Sequence, residues 1–290
     1  MQAAVDRLLH RFTEELRQGP ADFCTLVAEE LPIAVVGEWM HIPRGDYALL
    51  RSLTHDQVHV QELAPTRSQL ALSDAATEHL RFYFAELVQE RRRAPGPDPV
   101  SSWLREWDRV EPDRTRADAA VHALAIFMVL AALETTSYLL CTVVQLLLDD
   151  PRRMVWLRKH PEHVHGAIEE TLRYDAPIHL ISRVAAADIE LGDVLVPAGE
   201  MIQLVIGAAH HDPEKYPDPH IFDPCRGAQH LAFGTGAHYC LGNALARMEA
   251  GVLLTALIKL PFSLQISAAP EWAPRRLAFR RMQSLQLELA

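Results

Sequence analysis

Along the first hundred residues apolar positions recur at spacings of three and four, as in Val5, Leu8, Leu9, Phe12 and Leu16. That period predicts helices over about 2–18, 21–31, a short one near 45–53, and 68–93. Gly19-Pro20 stops the first, and "APGPDP" at 94–99 separates the fourth from a short helix around "SSWLREWDRV". From Ala119 to Leu148 the periodicity gives way to a nearly continuous apolar run without Pro or Gly. As a helix it would be roughly 45 Å long at about 1.5 Å per residue. Further helical stretches follow from Pro151 to Lys159 and from Pro161 through "PEHVHGAIEETLRYDA". Beyond Pro177 short extended pieces appear, and "DIELGDVLVPAGEMIQLVIGAA" alternates, split by Gly192 and Gly199 as two or three short strands would be. Pro and Asp dominate "HHDPEKYPDPHIFDPCRG", an irregular meander. A helix over about 241–260 comes next, and "FSLQISAAP" with "RRMQSLQLEL" reads as a final hairpin. The expected class is mainly α with a small β portion.

Composition narrows the functions available to such a chain. With 290 residues and 49% hydrophobic content it buries a substantial core. A formal charge of -10 without a long basic run excludes a phosphate-neutralising surface, so no nucleic-acid partner is expected. The four cysteines, at 24, 141, 225 and 240, form no CxxC pair, and the acidic N-terminal stretch does not read as a signal peptide; a reducing, cytoplasmic setting is expected. The apolar run is long enough to span a bilayer, but Glu134, Thr135 and Thr136 sit near its middle, where a carboxylate in lipid is expensive. It is read as the central helix of a soluble protein, with no membrane partner.

Chemistry concentrates in "FGTGAHYCLG", residues 233–242. A cysteine thiolate that is the one protein ligand to haem iron donates electron density favouring O–O cleavage. A helix starting just after Cys240 would aim backbone N–H groups and a favourable dipole at the sulfur. Gly234, Gly236 and Gly242 would allow tight turns and close approach of a flat macrocycle, and His238 would reach an acidic group on its rim. A lone cysteine at a helix start is usually only a small buried hydrophobe, but that leaves the other unusual residues of the stretch unexplained.

The decapeptide resembles the haem-binding loop of the cytochrome P450 family. "ETLR" at 170–173 resembles the family's ExxR motif, and "ALETTS" at 132–137 its oxygen-activating stretch. "HDPEKYPDP", "FDPCR" and "ALARME" resemble the segments flanking the haem loop, all in the family's order. The resemblance implies one P450-like domain over 1–290, with a D-to-H-helix-like region at 1–118, a long I-like helix at 119–148, and the K helix, β elements, meander and haem loop in 149–290. It implies haem b (iron protoporphyrin IX), with Cys240 as metal ligand. Phe233 and Gly234 would lie beneath it, Arg183 and His238 would hold its propionates, and Gly242 and Ala246 would line the cofactor. Glu170, Arg173 and Arg226 would form a buried structural network. Thr135 would order water and hydrogen-bond dioxygen, and Glu134 would relay protons. Ala131, Ile178, Leu180 and Met282 would face the substrate.

The function so implied is a monooxygenase acting on a small organic substrate with dioxygen and a ferredoxin-type electron donor. The alternatives are an accessory or binding protein on the same scaffold and a truncated, non-functional relative. The opening residues resemble the segment after the family's C helix, so the fold is expected to be N-terminally shortened. Ala132 stands where relatives carry a glycine, and His210-His211 where they carry AsnArg.

Overall fold

The computed structural model describes residues 1–227 and 229–290. Its helices are α1 (Gln2–Leu16), α2 (Glu30–Trp39), α3 (Tyr47–Gln57), α4 (Arg67–Arg93), α5 (Pro99–Val110), α6 (Arg114–Leu148), α7 (Pro151–Lys159), α8 (Val164–Tyr174), the one-turn α9 (Ile206–Ala209) and α10 (Asn243–Leu257). The strands are β1 (Ala21–Asp22), β2 (Leu180–Val184), β3 (Ile189–Leu191), β4 (Val194–Val196), β5 (Met201–Val205), β6 (Leu264–Ile266), β7 (Glu271–Trp272), β8 (Met282–Ser284) and β9 (Gln286–Leu289). Turn chemistry sets several boundaries. Thr66 and Gln69 close a reciprocal capping box on α4, while Asp98-Pro99 and Asp150-Pro151 place a capping carboxylate and a helix-starting proline at α5 and α7.

The helix α6 organises the molecule. Its first half buries Ala117, Val121, Ala125, Val129 and Leu133, a stripe at a spacing of four, largely against α2, α3, α4 and α5. Its second half, from Tyr138 to Leu148, is buried nearly all round in a second cluster with α1, α7, α8 and α10. Length and composition alone would let α6 cross a membrane, but half of its most apolar window is already buried within the protein.

All the sheets are small and antiparallel: β1–β9–β6, β2–β5, β3–β4 and β7–β8. Here the sequence expectations need correction. Residues 21–31 are not one helix: Ala21 pairs with Leu287 in β1–β9, Cys24–Ala28 form a π-helical turn, and α2 begins at Glu30. The carboxylate of Asp22 fixes that start by accepting from the Cys24 and Leu285 amides at 3.1 and 2.9 Å. The closing hairpin is likewise part of a three-stranded sheet, because β9 pairs with both β6 and β1.

Candidate functional site

The Cys240 loop lies between the meander and α10. Gly234 and Gly236 adopt φ of +69° and +70°, the left-handed region where a side chain is strained. Gly234 donates its amide to Leu231 O at 2.8 Å, and Cys240 donates to Phe233 O at 2.9 Å, so the loop folds back on itself beneath the thiol. Gly242 differs from expectation: at φ -82° it caps α10 without a tight turn, and a Cβ there would meet Cys240 Sγ at 3.9 Å, an ordinary contact. No side chain caps that N-terminus, which leaves the first-turn N–H groups facing the segment that carries the thiol.

The loop is braced from behind. Arg247 sits 4.4 Å over the Phe233 ring and forks onto Glu169 with bonds of 2.7 and 2.8 Å. Burial alone would raise Glu169, but hydrogen bonds from Arg247 and His230 outweigh it and hold the carboxyl at about 2. One residue on, Glu170 accepts from Arg173 Nε and Nη2, both at 2.8 Å, from Arg226 Nε at 3.1 Å and from the Asp223 amide at 3.0 Å. Arg173 also donates to His210 O at 2.8 Å, and His210 Nε2 accepts from the Leu231 amide at 2.8 Å. Burial, with help from His230 and Arg173, lowers His210 to about 4, so the ring is neutral and suited to accept. The predicted trio of Glu170, Arg173 and Arg226 is therefore assembled, and His210 extends it to the start of the Cys240 loop.

The remaining candidates divide. His238 and Arg183 are exposed basic groups. Among the described residues Arg183 bonds only to the neighbouring Ser182 O at 2.8 Å and His238 makes no side-chain hydrogen bond. Ala246 is half-buried on the first turn of α10, donating its amide to Gly242 O. Leu241, beside the thiol, is 82% exposed. The loop thus presents an apolar, solvent-facing surface around one thiol, with basic groups that no acid among the described residues pairs with. These features fit a flat, carboxylate-bearing macrocycle whose metal Cys240 would hold through its sulfur.

On α6, Ala131 is exposed and Thr135 half-buried, with the Thr135 hydroxyl donating to Ala131 O at 2.8 Å. Glu134 points the other way, into the protein, where Arg276 Nη2 donates to its Oε2 at 3.3 Å. Burial raises its pKa, against the opposing pull of Arg276 and Arg281. Leu180 pairs with Val205 across β2–β5, and Ile178 bridges to Phe279; both are half-buried. Met282 contradicts the substrate-facing reading. It is 3% exposed in the apolar core, because the alternation of β8 turns it inward and leaves Gln283 outside.

Sequence reasoning missed several charged groups. Glu62 accepts from the amides of Leu277, Ala278 and Phe279 at 2.7, 2.9 and 3.1 Å and pairs with Arg276 at 3.4 Å, which ties the α3–α4 connection to the loop before β8. No spacing links positions 62, 134 and 276. Glu249 was visible inside "ALARME"; it is buried and raised to about 8 by desolvation.

Comparison with known proteins agrees with this geometry. The cytochrome P450 family model matches residues 158–275. The biotin biosynthesis cytochrome P450 of Bacillus subtilis is 34% identical over 255 residues, covering 87% of this chain and 63% of that protein. The 6-deoxyerythronolide B hydroxylase of Saccharopolyspora erythraea is 33% identical over 296 residues, covering 100% and 71%. Among solved structures, P450BioI in complex with hexadec-9Z-enoic acid ligated acyl carrier protein superposes with a TM-score of 0.90 at 28% identity, covering 100% of this chain and 74% of that one. CYP164A2 of Mycobacterium smegmatis with econazole bound gives 0.84 at 32%, covering 99% and 74%. The chain spans 57–63% of the length of several of these curated relatives. A thiol-bearing glycine loop braced by a buried Glu-Arg-Arg network, on a fold and a sequence shared with these proteins, makes this chain a member of the cytochrome P450 family.

Proposed function

We propose that the chain provides the haem-thiolate centre of a monooxygenase that oxidises a small organic substrate. The observation that carries this reading is the Cys240 thiol, set ahead of an uncapped helix N-terminus on a loop turned by two positive-φ glycines. Cys240 would hold the iron, Phe233 and Gly234 would support it from below, Gly242 and Ala246 would line the ring, and His238 and Arg183 would take the rim carboxylates. Haem b, when bound, supplies dioxygen activation and oxygen transfer, with electrons from a ferredoxin-type donor.

The chain's own groups manage water and protons around that chemistry. The Thr135 hydroxyl already has an acceptor in Ala131 O, so its oxygen remains free to accept from, and order, a water. Glu134 is desolvated and therefore retains a proton at a pH where an exposed carboxyl has lost it. Ala131, Ile178 and Leu180 would touch the substrate, whereas Met282 belongs to the core. The four free thiols support a cytoplasmic setting.

The test is the Soret band of the reduced, carbon monoxide-treated protein reconstituted with haem. The wild type is expected to show a thiolate-ligated band, and Cys240→Ala to lose it while retaining the helical circular dichroism of the wild type. A protein that takes up no haem, or one whose band is unchanged in Cys240→Ala, would overturn the reading.

A further inference from the structure

The buried cluster behind Glu134 contains more than an acid needs in order to be held in place. While Oε2 accepts from Arg276, Oε1 is buried with no hydrogen-bond partner among the described residues. That free oxygen lies 3.9 Å from His55 Nε2, which stands 3.8 Å from Glu29 Oε1. Both separations are too long for a direct hydrogen bond and suit a bridge through one water. Between these groups is an internal cavity of about 10 Å³, lined by Glu29, His55, Glu134, Ser137, Tyr138 and Arg281 among others. A cavity of that order is just large enough for one water, and the carboxylates, imidazole and hydroxyls on its wall supply the polar partners such a water needs.

We propose that His55 is a positioning residue for proton delivery, passing protons from solvent through this one-water cavity to Glu134. Exposure gives the direction: the His55 side chain retains 18% of its accessible surface, the Glu134 side chain 5%. In the step, once Glu134 has given up its own proton, His55 Nε2–H passes its proton to the cavity water as that water passes one of its own to the Glu134 carboxylate at Oε1. The imidazole regains a proton from solvent at Nδ1, and the tautomer resets. One proton moves inward and neutralises the Glu134 carboxylate, while His55 and the water are regenerated.

The surroundings suit a neutral relay. Burial, then Arg281, Arg51 and Arg276, lowers His55 to about 3, so the ring carries one N–H and one lone pair. Glu29 is paired with Arg281 at 3.0 Å and lies 3.7 Å from Arg51, and Glu62 engages the far side of Arg276. Arg280 donates to the Tyr138 hydroxyl at 3.4 Å, and the Cys141 thiol at the cavity wall is raised well above its ordinary value by burial. Among these groups Glu134 is the carboxyl that burial disposes to hold the incoming proton.

The purpose assigned to this path rests on the monooxygenase reading, but its test does not require haem. Infrared difference spectra of the full chain, wild type minus Glu134→Gln, isolate the carboxylic acid band of Glu134. After a jump into deuterated buffer the shift of that band times its proton exchange. His55→Phe is expected to slow the exchange about tenfold or more, and His55→Gln, which keeps a polar group in the same space, to slow it comparably. Thermal melts by circular dichroism establish that each variant is folded. Exchange as fast as wild type in a folded variant would overturn the proposal, as would the lack of any Glu134 acid band above the pH at which an exposed glutamate ionises. Failure of the monooxygenase reading would appear separately, in the Soret band.

Discussion

Glu170 and Glu134 are both buried glutamates facing arginine, and they are built in opposite ways. Glu170 receives four charge-assisted or backbone hydrogen bonds between 2.8 and 3.1 Å, and its partner Arg173 spends a further donor on His210 O at 2.8 Å. Glu134 has a single hydrogen bond, at 3.3 Å, and one oxygen with no hydrogen-bond partner among the described residues. A fully satisfied buried ion pair is expensive to break, because removing one member strands the other's charge away from water. An under-satisfied one is held by its surroundings and remains free to change protonation state. The first cluster is a frame that ties α8, the meander and the Cys240 loop together; the second is suited to moving a proton.

The largest effect expected from this contrast is on stability. Arg173→Leu leaves Glu170 facing Arg226 alone and deprives His210 O of its donor, and should cost about 3–5 kcal/mol in urea unfolding. A loss below about 1 kcal/mol would mean that the bonds around Glu170 do not act as a frame.

Glu249 extends the comparison to a buried carboxyl with no salt-bridge partner among the described residues. Its Oε2 is unpartnered among the described residues, and desolvation, opposed by the charge of the N-terminal amine, raises it to about 8 from 4.5. A folded-state pKa above the unfolded one gives stability that is complete below pH 4.5 and is lost as pH rises towards about 8. The loss is on the order of 3 kcal/mol by pH 7. Glu249→Gln should therefore flatten the pH dependence of unfolding over that window. A wild-type profile already as flat as the variant's would count against the raised carboxyl.

How much of this was legible in the sequence depended on the range of the interaction. The long α6, the capped α4, α5 and α7, and the Cys240 loop were readable because periodicity, caps and glycines act within a few residues. The helix α2 was not read beyond residue 31; its Pro32 lies in the first turn, where proline is tolerated. Ala21 and Asp22 were misread as helix because their pairing partners, Leu287 and Gln286, lie more than 250 positions away. The Glu170 trio was named only through motif order, since Glu170 and Arg173 alone would pass for an exposed helix pair. Arg276, His55 and Glu62 belong to no motif, and only the folded chain brings them to Glu134.

Glu134→Gln should have the smallest effect on stability and the most informative one. Gln preserves volume, and Arg276 keeps Glu62 at 3.4 Å, so no charge is stranded as it is when Arg173 is removed. The change at neutral pH should stay within about 1 kcal/mol, since a single long contact returns little more than desolvation takes away. Its size should nevertheless vary with pH. Burial raises the folded-state pKa of Glu134 above the unfolded 4.5, so wild type loses stability as pH climbs through and beyond that value while the variant does not. Urea unfolding at about pH 5 and about pH 8 should therefore show the variant gaining on wild type at the higher pH. A loss of several kcal/mol at both would make Glu134 a framework partner like Glu170, and the distinction between the two clusters would collapse.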